Sequence, residues 1–427
     1  MTSKPSPTIS FAMSKISEIL TADIAVVGAG PTGMTAALQA ADAGKNVVFI
    51  APSGTHTDND GRTTAVMLPG LKLLKKLGIW DTLQPKTAPL DILRIVDATK
   101  RLLRAPTVDF RASELGEPTF GHNVKNSDLN AALADAVTRA ENIKRIDAMV
   151  SAADFTDEKA TLICSDGTVI EAQLAVAADG ANSLLRKAAN ISNRSWAYPQ
   201  TATVLTFKHK RPHNFVSTEF HTEEGPFTQV PLPGNESSLV WVQRPEKAEI
   251  TAEMETGELG LAIEKQMSSM LGAIEVTSAP QTWPLSTQIA NAFSATRLLL
   301  VGHAAHAFPP IGAQGLNLGL RDIVDLGEAL AQAESDDVGS KKVTDFYHSA
   351  RRNDVWSRTA AVDLLNRSLL TDLLPVQAVR AGGLSLLKYI PPLRSFMMRE
   401  GMMPGSSVSR GTGLFSKFNR RGTDQAA

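Results

Sequence analysis

Two glycine-rich stretches hold the residues whose types and spacing could do chemistry: "GAGPTG", Gly28 to Gly33, and "VGHAAHAFPPIGAQGLNLGLRD", Val301 to Asp322. In the first, Gly28 permits a tight turn, Gly30 lets a pyrophosphate approach the backbone, and Gly33 allows a helix to pack closely on a strand. The helix N-terminus that follows would present its amides to the anion. In the second, Gly312 and Gly315 let backbone amides come close to a flat ligand, and the helix start beside them favours an adjacent anion by about 0.3 to 1 kcal/mol. His303 and His306 stand three apart, as two metal ligands could, but no third ligand accompanies them and Cys164 is distant in sequence. A packed or hydrogen-bonded role is the default for His306. Arg62, on spacing alone, reads as a solvated surface charge.

These residues need a frame. Asp23 to Ile50 reads as strand, glycine turn, helix and strand: Ile24 to Val27 is a short buried strand, Met34, Ala37, Leu38 and Ala41 share a helical face, Gly44 suits the helix end, and Val47 to Ile50 returns as a strand. That is the βαβ setting a dinucleotide fingerprint requires. The acid that usually follows the second strand and holds the adenosine ribose would fall at Ala51, which has no polar group; Ser53 and Thr55 are the nearest substitutes.

Further on, Leu71, Leu74 and Leu77 predict a helix after Arg62, and Asp128 to Ala140 a second amphipathic one. A hairpin turned at Asp166-Gly167 precedes an apolar strand, Leu174 to Ala178, that ends in Asp179-Gly180. From about Trp196 to Trp283, alternating stretches such as "TATVLTF" and "SLVWVQR" predict an antiparallel sheet. The strand-turn-helix texture resumes at Arg297: Leu298 to Val301 is a buried strand, Gly302 opens a loop, and Gly315 to Asp325 starts a helix with Leu316, Leu320 and Ile323 inward. A chain that leaves and re-enters one fold carries an inserted domain, and the crevice between the two is where a substrate is expected.

The whole chain sets outer bounds. Its 427 residues invite two domains or one with a large insertion, and a hydrophobic content of 43% with 20% charged residues is ordinary for a folded protein. A formal net charge of -1 supplies no field for nucleic acid. The single Cys164 excludes an internal disulfide and fits a reducing, cytoplasmic compartment. No apolar run approaches the roughly 18 residues of a spanning helix. The first twenty residues lack the apolar core of a secretion signal and read as a mobile leader, with Met13 an alternative start.

The motifs together resemble a known family. Gly28 to Gly33, Asp179-Gly180 within "AVAADGANSLLR", and "VGHAAHAFPPIGAQGLNLGLRD" look like the three signatures of FAD-dependent aromatic hydroxylases of the para-hydroxybenzoate hydroxylase fold. Within that group "RTTAVMLPGLKLLKKLGIWD", "GHNVKNSDLNAAL" and "LLNRSLL...PPLRSFMMREGM" resemble the ubiquinone-biosynthesis hydroxylases, over about residues 21 to 403. The resemblance implies an α/β fold, α+β overall, with a Rossmann-like FAD-binding domain (21–88, 121–190 and 285–345), an inserted antiparallel-sheet substrate domain (89–120 and 191–284), a C-terminal helical region (346–405) and a flexible tail (406–427).

It also implies roles. Gly28, Gly30, Pro31 and Gly33 would contact the FAD pyrophosphate, Arg62 would reach the cofactor rather than solvent, and Asp179-Gly180 would sit where FAD and NADPH phosphates are managed. Pro309 would stack near the isoalloxazine, with Gly312, Ala313, Gln314 and Gly315 along its pyrimidine edge and Asn317 close behind. Most members carry an aspartate where this chain has His303; a neutral imidazole accepts one ribityl hydrogen bond, which implies weaker and pH-sensitive binding. Ala178 replaces the usual glycine before Asp179-Gly180.

The implied reaction uses NADPH or NADH and oxygen to hydroxylate an electron-rich phenol ring in a chamber that keeps water out. Tyr198, His221 and Gln229 lie in the substrate sheet with framework roles, and no catalytic acid or base stands out. From Leu373 to Met403 apolar residues mix with Arg380, Lys388, Arg394 and Arg399 and no acid precedes Glu400, which fits a helix pair on an anionic membrane, at its inner face, or equally a cap on the flavin domain. The leading reading is hydroxylation of a polyprenylated phenol in ubiquinone synthesis, in a biosynthetic protein complex as a further partnership. The alternatives are a hydroxylase of a small soluble aromatic acid and, motivated by Ala51 and His303, a non-catalytic scaffold.

Overall fold

The computed structural model describes residues 18–54, 61–99, 104–309, 314–333, 337–370, 382–383 and 385–402. Thr55, Gly312, Ala313, Leu373, Arg380, Leu384 and Met403 lie outside these residues, as do 1–17 and 403–427.

The first strand runs Ile19–Val27, so it begins inside the stretch assigned to the leader: Ile19 and Leu20 pair with Val169 and Ile170, and that pairing gives their backbone amides partners. A parallel core of four further strands flanks it in the order Leu298–Leu300, Val169–Ala177, Ile19–Val27, Val47–Ile50, Ile143–Ile146, with Ser294–Ala295 and a hairpin partner, Ala160–Cys164, added antiparallel. Strands covered on both faces must be apolar throughout, and Ile24 to Val27, Val47 to Ile50, Leu174 to Ala177 and Leu298 to Leu300 are all buried. The helix Pro31–Asp42 packs against Gln314–Leu330 and Asn126–Arg139; its buried Ala36, Ala37 and Ala40 are small enough for close approach.

The second sheet has nine strands among the described residues and is built on the long strand Asn193–His209, which pairs with Glu236–Gln243 and Gln281–Ala290. It is antiparallel as expected except at one pair, where Val216–His221 runs parallel to Ile92–Asp97. The reason is connectivity: Ile92–Asp97 arrives from a much earlier part of the chain, with no hairpin to force opposite directions. Leu259 and Ile263 of the helix Thr256–Gln266 close its core over Leu205, Phe207, Phe227 and Leu239.

A three-stranded sheet, Thr63–Met67, Gly121–Lys125 and Ala88–Pro89, bridges the two larger ones, with Asn123 Nδ2 donating to Pro231 O at 2.9 Å. The loop after Gly302 bridges them as well, because His306 and Ala307 pair with Ile289 and Gln288 of the second sheet. At the C-terminus the helix Pro391–Met402 packs Met398 against Ala112 and Phe120, and Arg394 Nε donates to Glu114 Oε2 at 2.8 Å. That helix therefore leans on Ala112 and Phe120 beside the second sheet, where a cap on the flavin domain would have put it on the parallel sheet.

Candidate active site

One cavity of about 1490 Å³ runs between the sheets. One end is built by the glycine turn. Gly28 has φ +129°, a left-handed region that an L side chain rarely enters, and a Cβ there would stand 2.2 Å from Ala178 O. Gly33 lies so close beneath that its Cβ would meet Gly28 O at 2.1 Å, whereas at Gly30 no atom lies within 4 Å of the place a Cβ would take. The turn thus packs tightly inward and leaves a cradle outward. Gly30 caps the helix, Pro31 takes its first position, and no side chain caps the helix start, so its free amides face the cavity.

Asp179 and Gly180 line the same end. Asp179 Oδ2 accepts from Leu184 N at 2.8 Å, while its buried Oδ1 has no partner, which leaves an acceptor for a ligand hydroxyl. Ala178 causes no distortion: it continues the Val169–Ala177 strand by donating its amide to Val27 O at 2.8 Å. A bare helix N-terminus, an open glycine cradle and an unpaired buried carboxylate oxygen fit a nucleotide's pyrophosphate and ribityl chain.

Midway along, Arg62 and His303 line the wall. Arg62 is exposed in the cavity rather than on the outer surface alone, and its guanidinium stacks 5.2 Å from the Trp283 ring of the second sheet. The spacing reading of a solvated charge thus describes one side of it, and the other side lines the cavity. His303 presents its ring to the open cavity, yet protein surrounds that position more broadly. Burial, with His306 and Arg62 nearby, lowers the His303 pKa, so the ring is neutral at pH 7.

Gly315 and Leu316 also line the cavity, at the start of the helix Gln314–Leu330. Phe308 reaches the wall and Pro309 is buried behind it. Asn317 stands behind the wall too, with its Oδ1 accepting from Met67 N at 2.8 Å and its Nδ2 donating to Ala65 O at 2.6 Å. It ties the helix to the bridging sheet. His306 is fully buried: its Nε2 lies 2.8 Å from Asp322 Oδ2, which also accepts from Gly302 N at 2.8 Å. Among the described residues no group of three His, Cys, Asp or Glu could hold a metal. Burial pushes the Cys164 thiol up to about 11, where it is inert.

The far end of the cavity belongs to the second sheet and the C-terminus. Leu93, Phe110, Phe120, Leu387 and Met398 make an apolar wall, and Thr63, Asn123 and Ser238 a polar floor in which Thr63 Oγ1 donates to Ser238 Oγ at 2.7 Å. Arg94 also lines it, but Asp109 accepts from its Nε and Nη2 in a two-point pair, at 2.7 and 3.0 Å. Tyr198, His221 and Gln229 do not line it. Tyr198 OH donates to Asp363 Oδ1, His221 Nε2 meets Glu219, and Gln229 Nε2 donates to Ser237 Oγ, all within the framework. Sequence reading missed Arg94 with Asp109, and Asn123 with Ser238, because cross-strand pairing brings together residues with no local motif.

Comparison with known proteins agrees with this geometry. Residues 21–362 match a family described as FAD binding domain. The chain is 33% identical over 393 residues to the ubiquinone hydroxylase UbiL of Rhodospirillum rubrum, covering 89% of each chain. It is 31% identical to the 3-demethoxyubiquinol 3-hydroxylase of Escherichia coli, over 85% of this chain and 93% of that protein. Among solved structures, p-nitrophenol 4-monooxygenase PnpA of Pseudomonas putida shares the fold with a TM-score of 0.72 at 20% identity, covering 90% of this chain and 97% of that one. With the nucleotide cradle, the inserted sheet and the sequence match in agreement, the chain belongs to the FAD binding domain family of flavin-dependent monooxygenases.

Proposed function

We propose that this protein is an FAD-dependent monooxygenase that hydroxylates the aromatic ring of a polyprenylated phenol in ubiquinone biosynthesis, with NADPH or NADH and oxygen as co-substrates. The single observation that carries the reading is the continuous cavity with a nucleotide cradle at one end and an apolar wall at the other; the names of the relatives point to the same substrate class. The chemistry supplied by FAD when bound is oxygen activation, one atom going to the ring and the other to water.

The chain's own residues bind and exclude. In this reading the helix start after Gly30 holds the pyrophosphate, with Gly28 and Gly33 shaping the turn and Pro31 setting the helix. Asp179, Gly180, Arg62 and His303 contact the rest of the cofactor, and Gly315 approaches the flavin edge. Thr63, Asn123 and Ser238 orient the ring hydroxyl, while Leu93, Phe110, Phe120 and Met398 keep water from the reacting carbon. Residues 89–120 and 191–284 act as the substrate domain on this view. A small aromatic acid is the weaker substrate, because a carboxylate wants a free cation and Asp109 already occupies Arg94.

The C-terminal helices would let a prenyl tail leave toward a lipid surface. Leu386, Tyr389, Ile390, Leu393, Phe396 and Met397 are exposed beside Lys388 and Arg399, and Leu387 and Met398 line the cavity just beneath. No helix among the described residues is long and apolar enough to cross a membrane.

Profiling quinone intermediates after deleting the gene tests the proposal. A prenylated phenol lacking one ring oxygen should accumulate, and the full-length chain should restore the quinone. An unchanged profile, or a purified chain that takes up no FAD, would overturn it.

A further inference from the structure

The Val47–Ile50 strand ends in Ala51, 1% exposed and without a polar group, at the position where a dinucleotide fold usually places the acid for the adenosine ribose. A carboxylate stands close by, just past the end of the next strand. Ile143–Ile146 runs parallel to Val47–Ile50 with Ile146 opposite Ile50, and Ala51 N donates to Ile146 O at 3.0 Å. Asp147, the first residue past that strand, therefore leaves the sheet at the same carboxyl edge, one strand spacing away, about 4.8 Å.

The carboxylate is held. Ser53 donates its backbone amide to Asp147 Oδ1 and its hydroxyl to Oδ2, so one serine bonds both oxygens and orients the group. Those two bonds, with Arg145 adding its charge, keep the Asp147 pKa below the ordinary carboxylate range. Each oxygen keeps a further lone pair for a hydroxyl donor.

Ser53, which holds the carboxylate, lines a second cavity of about 270 Å³ together with Ala29, Phe49, Ala51, Gly54 and Arg145 among others, while Asp147 itself is exposed just outside that lining. Ala29 lines the large cavity as well, so the two spaces meet at the glycine turn. A dinucleotide whose pyrophosphate rests on the helix start has its adenosine half directed here. The methyl of Ala51 leaves open the space that an acidic side chain would have filled.

Resting on the FAD reading above, we propose that Asp147, oriented by Ser53, accepts the adenosine ribose hydroxyls of FAD in place of the missing acid at Ala51. The carboxylate has moved one strand across the sheet while its role is kept.

The test measures FAD affinity of the full-length, flavin-stripped chain by fluorescence quenching, together with its thermal midpoint. Asp147→Ala should weaken FAD binding by roughly tenfold to a hundredfold, as loss of charge-assisted hydrogen bonds does, with the midpoint of the flavin-free chain unchanged. Adding Ala51→Glu to Asp147→Ala should restore affinity, since Ala51 borders the small cavity and a longer side chain can enter it. Equal affinity of wild type and Asp147→Ala overturns the assignment. So does a loss that comes with a lowered midpoint and resists Ala51→Glu, which marks Asp147 as a brace for the Ser53 loop alone. A wild-type chain that binds no FAD is a separate result and defeats the functional reading itself.

Discussion

At the scale of single residues, His303 stands where the family resemblance implies an aspartate, and the structure gives that difference a sign. Burial lowers its folded pKa below the ordinary histidine value, so in the window just under pH 6.5 the unfolded chain binds more protons than the folded one. Stability contributed by this site is therefore present above that window and declines as pH falls through it. On the proposed contact, a ribityl hydroxyl donating to the neutral ring would lower the pKa further, so FAD affinity would fall in the same direction. We predict that wild-type FAD affinity declines below about pH 6.5 whereas His303→Gln shows a flat profile, and that His303→Asp tightens binding about tenfold at pH 7 by making the bond charge-assisted. Titration calorimetry across pH checks both; a flat wild-type profile would remove His303 from the cofactor contacts. The identity of His303 and Ala51 could be read directly from the sequence as departures. That Ser53 engages Asp147 could not, because the partner lies 94 positions away.

At the scale of elements, the helices Gln314–Leu330 and Lys341–Leu370 are joined by buried charge as well as by apolar contact. Arg351 is 1% exposed, with Nε 2.7 Å from Asp322 Oδ1, an ion pair not aligned as a hydrogen bond, and Nη1 2.6 Å from Asp325 and 2.9 Å from Asp354. Burial opposes its charge, but the carboxylates of Asp322 and Asp325 outweigh that and raise its pKa. Asp322 in turn holds Gly302 N and His306, so this helix pair fixes the turn that presents His303. Arg351→Met strands buried carboxylates, and we predict a loss of roughly 3 to 5 kcal/mol in urea unfolding, with FAD affinity weakened beyond what dilution into unfolded chain explains. A change under about 1 kcal/mol would mean the network behaves like a surface pair. Periodicity announced the first of these helices through Leu320 and Ile323, both buried. It carried no sign of the ionic seam, since Arg351 looks like any charged helix residue until its neighbours in space are known.

At the scale of the whole molecule, the C-terminal helix joins the apolar wall of the cavity to an exposed apolar face, and Arg394 pins it to Glu114. We predict that the protein floats with liposomes containing anionic lipid, that added salt reduces the bound fraction, and that Leu393→Asp with Phe396→Asp abolishes it without lowering FAD content. Recovery of wild type only in the soluble fraction would return the C-terminal segment to a purely structural role. By itself the sequence determined the local pieces: a glycine turn between strand and helix, an inserted run of alternating strands, and the order in which the three motifs recur. These follow from neighbours in the chain, because periodicity and turn chemistry act over a few residues. Only the tertiary structure decided that Ser53 holds the Asp147 carboxylate, that Asp109 neutralises Arg94, that Arg62 stacks on Trp283, and which side of the molecule the last helix covers. Those depend on strand register and on packing between distant segments, where shifting a single pairing exchanges every partner.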